Sequence, residues 1–281
     1  MSRASVLVTA AELDALLRSE RPPVVLDVRW ALGVDDGFAQ YLSAHVPGAA
    51  YVDLDSELAA PAAPGRGRHP MPGVAVLEAA ARRWGVDDGS AVVAYDDIAN
   101  QSAARAWWLL RWGGLRDVRL LDGGLAAWKA AGLPLEPGTV TPRPGDVTLH
   151  PGSVEAVDAE GAARLARDGV LLDARAAERY RGEVEPIDPV AGHIPGARSA
   201  PTSSNLRPDG TFLDAGELRA RFEALGITRD VRVGAYCGSG VSAAHELAAL
   251  AIAGFDGALY PGSWSEWCAD PRRPVATGAS A

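Results

Sequence analysis

Cysteine is nearly missing from this chain: Cys237 and Cys268 are the only two among 281 residues. That scarcity excludes a disulfide scaffold and predicts a reducing compartment with free thiols. No group of Cys and His residues has metal-ligand spacing, so no metal centre is expected. Long apolar runs are missing too, none reaching the roughly 20 residues that span a bilayer. The short run Val6-Leu7-Val8 is soon followed by Glu12 and Asp14, unlike a secretory leader. A cytoplasmic protein without a membrane partner is the expectation. Lysine is scarcer still, Lys129 standing alone among arginines, and the net charge is −9. The clustered basic excess of a nucleic-acid surface is absent, so no nucleic-acid partner is expected.

What is present is written twice. Leu26-Asp27-Val28-Arg29 recurs as Leu172-Asp173-Ala174-Arg175, and His45-Val46-Pro47-Gly48-Ala49 as His193-Ile194-Pro195-Gly196-Ala197. Ala94-Tyr95-Asp96 recurs as Ala235-Tyr236-Cys237, and Gly123 with Trp128 as Gly262 with Trp267. The order is kept and the shift drifts only between 139 and 148 residues, as in a duplication with small loop changes. Between the copies, Leu133–Gly152 carries Pro134, Pro137, Pro142, Pro144 and Pro151. Proline removes donors and favours extended backbone, so this stretch reads as a linker. Two domains are expected, 1–144 and 145–281, as a chain above the usual single-domain size suggests.

Each half alternates short apolar runs with helical patterns, which implies an α/β fold built on a parallel sheet. In the second half, 169–172 and 231–236 read as buried strands, and Ser242 to Ala253 as a helix stopped by Gly254. Such sheets hold ligands beyond the carboxyl ends of their strands. Cys237 falls at that place, in Cys237-Gly238-Ser239-Gly240-Val241-Ser242, between strand and helix. Glycines at 238 and 240 permit positive φ and inward-facing amides. Together with the positive end of the helix dipole, those amides favour an anion at the loop centre. A thiolate, a persulfide or a substrate oxyanion would suit that position. A cysteine that merely ends a strand beside a tight turn is the plainer alternative.

The segment from Tyr236 to Ala243 resembles the active loop of mercaptopyruvate sulfurtransferases, within the rhodanese superfamily. Tyr41 with His45–Ala49, Trp107–Arg111, Leu121–Gly124 and Pro261–Trp267 resemble further signatures of the family, in the family's order. The resemblance implies two tandem rhodanese-like domains, each a parallel sheet flanked by helices. The first is inactive because Asp96 stands where the second has Cys237. It implies a sulfurtransferase without a cofactor, in which Cys237 takes sulfur from a small-molecule donor as a persulfide. A thiol, cyanide or a thioredoxin-like protein then accepts that sulfur.

The uncharged loop points to 3-mercaptopyruvate as donor, because thiosulfate-preferring relatives place basic residues after the cysteine. By similarity, Ser239, His45 and Asp36 would form a relay beside Cys237, although the His45 turn has a twin at His193 and at most one copy can serve the single active loop. Gly238, Gly240, Val241 and Ser242 would cradle the substrate. Arg179 would grip its carboxylate with a planar fork. One departure keeps thiosulfate open as donor: the second arginine usual after a Glu-Pro step is replaced by Ile187, after Glu185-Pro186. A persulfide carrier handing sulfur to a protein would use the same Cys237. A Cys-x5-Arg phosphatase loop is excluded, since Ala243 stands six residues after Cys237. Cys268 reads as structural, with a redox partnership open only at disulfide distance.

Overall fold

A computed structural model describes residues 2–279. In the first half, β1 (Leu7–Val8), α1 (Ala10–Leu17), β2 (Val24–Asp27), α2 (Gly37–Ser43), β3 (Ala50–Tyr51) and α3 (Leu54–Glu57) come first. They are followed by α4 (Val74–Arg83), β4 (Val92–Tyr95), α5 (Ala103–Trp112), β5 (Val118–Leu121) and α6 (Gly124–Ala130). The second half begins with α7 (Ala159–Asp168), β6 (Val170–Asp173), α8 (Ala177–Arg181) and β7 (Arg198–Ser199). Then come α9 (Ala215–Ala224), β8 (Val233–Tyr236), α10 (Ser242–Ala253), β9 (Ala258–Leu259) and α11 (Ser263–Trp267).

All strand pairs are parallel, in two sheets ordered β1-β5-β4-β2-β3 and β7-β6-β8-β9. The central strands are apolar without alternation, as strands covered on both faces must be. Helix starts are set locally: Thr9 and Glu12 close a capping box on α1, as do Asp214 and Glu217 on α9. Among the described residues no helix is long and apolar enough to cross a membrane.

The duplication extends to register and to single bonds. Asp27 lies opposite Tyr95, and Asp173 opposite Tyr236. Tyr41 Oη donates to Ala49 O at 2.9 Å, and Tyr180 Oη to Ala197 O at 2.7 Å. Trp128 and Trp267 each donate Nε1–H to a proline carbonyl, Pro134 and Pro274. Arg29 and Arg175 pair with Asp27 and Asp173 beneath the loops.

The linker is strapped to its neighbours. Gly145 N–H reaches Arg82 O, His150 N–H reaches Gly113 O, and Val147 and Leu149 enter the core. The expected cut at residue 145 falls inside this strap, between the end of α6 and the start of α7. One apolar cluster runs through both halves, because α5 of the first packs on α10 of the second. That contact explains why α10 is buried from Ala243 to Ala253.

Candidate active site

Two cavities stand out. The larger, about 790 Å³, lies toward the amino end of β8, with Trp107, Glu155 and Val233 among its walls. Its lining holds no cysteine and no histidine. The smaller, about 380 Å³, opens beyond the carboxyl end of β8 and is lined by Cys237, Gly238, Ser239, Val241 and Ser242. Trp30 and Arg68 of the first half and Arg179 of the second complete much of its wall. The site therefore lies at the seam of the two domains, where a parallel sheet presents its loops.

Cys237 follows β8 directly. Its own N–H donates to Ser263 Oγ at 3.1 Å, and Gly240 N–H donates to its Sγ at 3.1 Å. Ser263 holds φ at +55°, an uncommon conformation for a residue with a side chain. Gly240 takes φ of +79°, and a Cβ there would lie 2.4 Å from Pro261 O, so only glycine fits. Gly238 does not share the left-handed conformation; its need for a bare Cα comes from close neighbours above it. The amides of Val241, Ser242 and Ala243 at the head of α10 find no acceptor among the described residues, leaving a polarised rim over the cavity.

The first half shows what such a loop binds. Asp96 takes the place of Cys237, and its carboxylate accepts N–H bonds from Ile98, Asn100, Ser102 and Ala103 at 2.7–2.9 Å. The repeated loop is an anion cradle already occupied in one copy. Complete burial pushes the Asp96 carboxyl up to about 6, against those four amides.

Of the three residues expected to form a relay beside Cys237, only Ser239 lines the cavity. His45 is fully buried, stacks on Tyr41 with ring centroids 4.2 Å apart and has Nδ1 2.9 Å from Tyr41 O. His193 does the same with Tyr180, so both are turn histidines and His45 is no relay member. Asp36 lies exposed at the start of α2, accepting from Gln40 Nε2 at 2.8 Å. In their stead, His69 Nδ1 lies 2.7 Å from Ser239 Oγ, and His69 Nε2 lies 3.4 Å from Asp55 Oδ1. Trp30 stands edge-on to His69 and donates to Asp55 Oδ2 at 3.0 Å. Burial, aided by Arg105 and Arg68, holds His69 below its ordinary value of 6.5, against the pull of Asp55. A neutral ring with its proton on Nε2 accepts the Ser239 hydroxyl at Nδ1.

Two arginines were also missed from the pattern. Arg105 of α5 is fully buried without a carboxylate, donating to Gly240 O, His69 O and Leu58 O at 3.0–3.3 Å. Burial pushes it down to about 10, so it keeps its charge at neutral pH beside Cys237. Arg68 lines the cavity and pairs with Asp188. The expected Arg179 is there too, its Nη2 donating to Glu185 Oε1 at 2.7 Å. Cys268 lies with Trp264 and Trp267 in a separate apolar cluster, outside the cavity lining. Burial pushes its thiol up to about 11, which keeps it protonated.

The sequence signal for His69 was available by subtraction. Of five histidines, two are twins, His150 is in the linker and His245 is inside α10. His69 alone occupies a first-half loop with no counterpart.

A family model for the rhodanese-like domain matches residues 9–131 and again 158–270. The chain is 54% identical over 285 residues to a Pseudomonas aeruginosa protein named a probable 3-mercaptopyruvate sulfurtransferase, covering 99% of this chain and 100% of that one. It is 50% identical over 282 residues to a Mycobacterium tuberculosis protein named as a candidate thiosulfate sulfurtransferase, SseB, covering 99% of each. The crystal structure of the Escherichia coli 3-mercaptopyruvate enzyme SseA superposes with a TM-score of 0.80 at 32% identity, covering 92% of this chain and 98% of that one. The chain belongs to the rhodanese family, as a sulfurtransferase of two tandem domains.

Proposed function

We propose that this chain moves sulfur from 3-mercaptopyruvate, through a persulfide on Cys237, to a thiol or to cyanide. The Cys237 thiolate attacks the donor's thiol sulfur, a Cys237–S bond forms and the donor's C–S bond breaks. The electron pair leaves on carbon as the enolate of pyruvate, which must then take a proton. An acceptor thiolate removes the outer sulfur in the second step and restores Cys237. Domain 145–281 carries the nucleophile; domain 1–144 carries most of the proton path.

The chain Asp55–His69–Ser239, opening onto the Cys237 cavity, is the observation that supports this donor most. A carbon leaving group needs a proton source at its exit, whereas sulfite leaving from thiosulfate needs none. Ser239 is placed to protonate the enolate and recover its proton through His69. Thiosulfate remains the second donor, supported by the name of the Mycobacterium relative.

The rim of the cleft suits an acceptor thiol borne by a protein. Among eight exposed large apolar side chains of the described residues, six fall in two short segments: Leu32, Val34 and Phe38, and Val184, Ile187 and Val190. Leu32 and Ile187 line the cavity itself. A thioredoxin-like acceptor or a carrier partner would cover them. Two buried, unbridged thiols fit the reducing cytoplasm as the place of work.

Steady-state assays with both donors test the reading. Cys237→Ser abolishes transfer from either donor, and mass spectrometry finds no added sulfur on the variant. His69→Ala lowers kcat with mercaptopyruvate by about 10²–10⁴-fold while changing thiosulfate turnover far less. Equal losses with both donors, or a wild-type preference for thiosulfate, would overturn the donor.

A further inference from the structure

Arg68 and Arg179 come from different domains and converge on one point. A Cβ built on Gly238, the residue after the nucleophile, would lie 2.9 Å from Arg68 Nη2 and 3.6 Å from Arg179 Nη1. Those two nitrogens have no acceptor among the described residues. Arg179 is otherwise engaged, whereas Arg68 is held through Nη1 alone, its buried Nε also lacking a partner among the described residues. Arg68 Nη1 donates to Asp188 Oδ1, while Arg179 donates through Nε and Nη2 to Glu185, with Nη2 also 3.4 Å from Asp188 Oδ2. Asp188 thus bridges the two arginines, and the free Nη of each, Arg68 Nη2 and Arg179 Nη1, lies over Gly238.

Arg68 is held there before any substrate arrives. Its N–H donates to Ser265 Oγ at 3.1 Å, and the preceding Gly67 has φ of +75°. A Cβ on Gly67 would stand 2.8 Å from Gly262 O, so the loop lies against the second domain only because that residue is glycine.

We propose that Arg68 is the second guanidinium of the donor's carboxylate site, closing from the first domain a two-arginine clamp with Arg179. This rests on the mercaptopyruvate reading given above. It accounts for Ile187 standing where a second-domain arginine was expected: the charge is delivered across the seam instead of along the loop. Asp188 aligns the pair and offsets one of its charges, Glu185 the other, while the carboxylate takes Arg68 Nη2 and Arg179 Nη1. Two guanidiniums presenting parallel donors suit a carboxylate better than a single point charge does.

The test measures KM for 3-mercaptopyruvate and, separately, calorimetric binding of pyruvate as the carboxylate probe. It uses the full chain and the variants Arg68→Ala, Arg68→Lys and Asp188→Asn. Arg68→Ala raises KM and weakens pyruvate by at least about tenfold, the value of one charge-assisted contact, with a smaller loss in kcat. Arg68→Lys recovers part of the loss, because the anchoring bond to Ser265 is made by the backbone. Asp188→Asn raises KM less than Arg68→Ala does, since it keeps an aligning oxygen and both guanidiniums. A KM within about twofold of wild type in Arg68→Ala would sink the clamp, as would equal losses in Arg68→Ala and Asp188→Asn, which mark a simple interdomain brace. Should wild-type enzyme take no sulfur from mercaptopyruvate, the donor reading fails by itself, and the pyruvate titrations still decide the clamp.

Discussion

A single side chain separates the working loop from the idle one. Asp96 fills its cradle with a carboxylate bound by four amides, and no carboxylate can form a persulfide. Cys237 engages one amide through Sγ and leaves the head of α10 open. The other decisive side chain is His69, whose task requires a neutral ring. Burial lowers its proton affinity, so the midpoint of its protonation lies below its ordinary value of 6.5. Turnover of mercaptopyruvate should therefore stay level from about pH 8 to about pH 6.5. It should decline at more acid pH, where protonated His69 cannot accept from Ser239. Asp55 raises the His69 value, so Asp55→Asn should move that acid limb to still lower pH. A limb that moves upward in the pH–rate profile would remove His69 as the group observed.

At the scale of elements, α5 and α10 are the repeated pair that changed roles. Each begins at the active-type loop of its own domain, and they pack together at the seam. From α5, Arg105 reaches into the other domain's loop and holds the Gly240 carbonyl, while also tying down His69. Three carbonyls satisfy this buried guanidinium without neutralising it. Its charge thus remains available to Cys237, where low polarisability of the surroundings makes it count. Arg105→Met should slow alkylation of Cys237 by iodoacetamide at neutral pH severalfold, because both the charge and the grip on Gly240 are lost. An unchanged alkylation rate in a folded variant would show that Arg105 acts only as packing.

For the whole molecule, the two domains form one machine because their apolar interior is continuous. Val147 and Leu149 of the linker join that interior, and Arg105 spans it. Domains joined by such an interface unfold together. Urea denaturation followed by tryptophan fluorescence and by far-UV circular dichroism should give a single coincident transition. The separate fragment 145–281 should not turn over mercaptopyruvate even where it folds, since Asp55, His69, Arg68 and Arg105 all lie outside it. Two resolved transitions, or an active fragment, would contradict this account.

Much was already legible before any coordinates. The α/β class, the parallel sheets, α10 between Ser242 and Ala253, and Cys237 at a strand end all follow from short-range patterns. The doubling of those patterns marked two domains. Local sequence carries such features because strand burial, helix capping and turn chemistry act over a few residues. The family resemblance also singled out Arg179, which lies in α8 and lines the Cys237 cavity. His45 and Asp36 were misjudged because a histidine before a proline-containing turn looks the same at residue 45 as at residue 69. Only packing distinguishes them: one ring stacks inside its own domain, the other leans across to Ser239. Intradomain contacts were duplicated with the sequence and therefore show as repeats. Contacts across the seam arose once, between segments far apart in the chain, and leave no periodic trace. The amino-acid sequence by itself determined the fold and the candidate nucleophile, while the tertiary structure alone decided that His69, Arg68 and Arg105 of the other domain stand around it, because contacts between distant segments depend on packing.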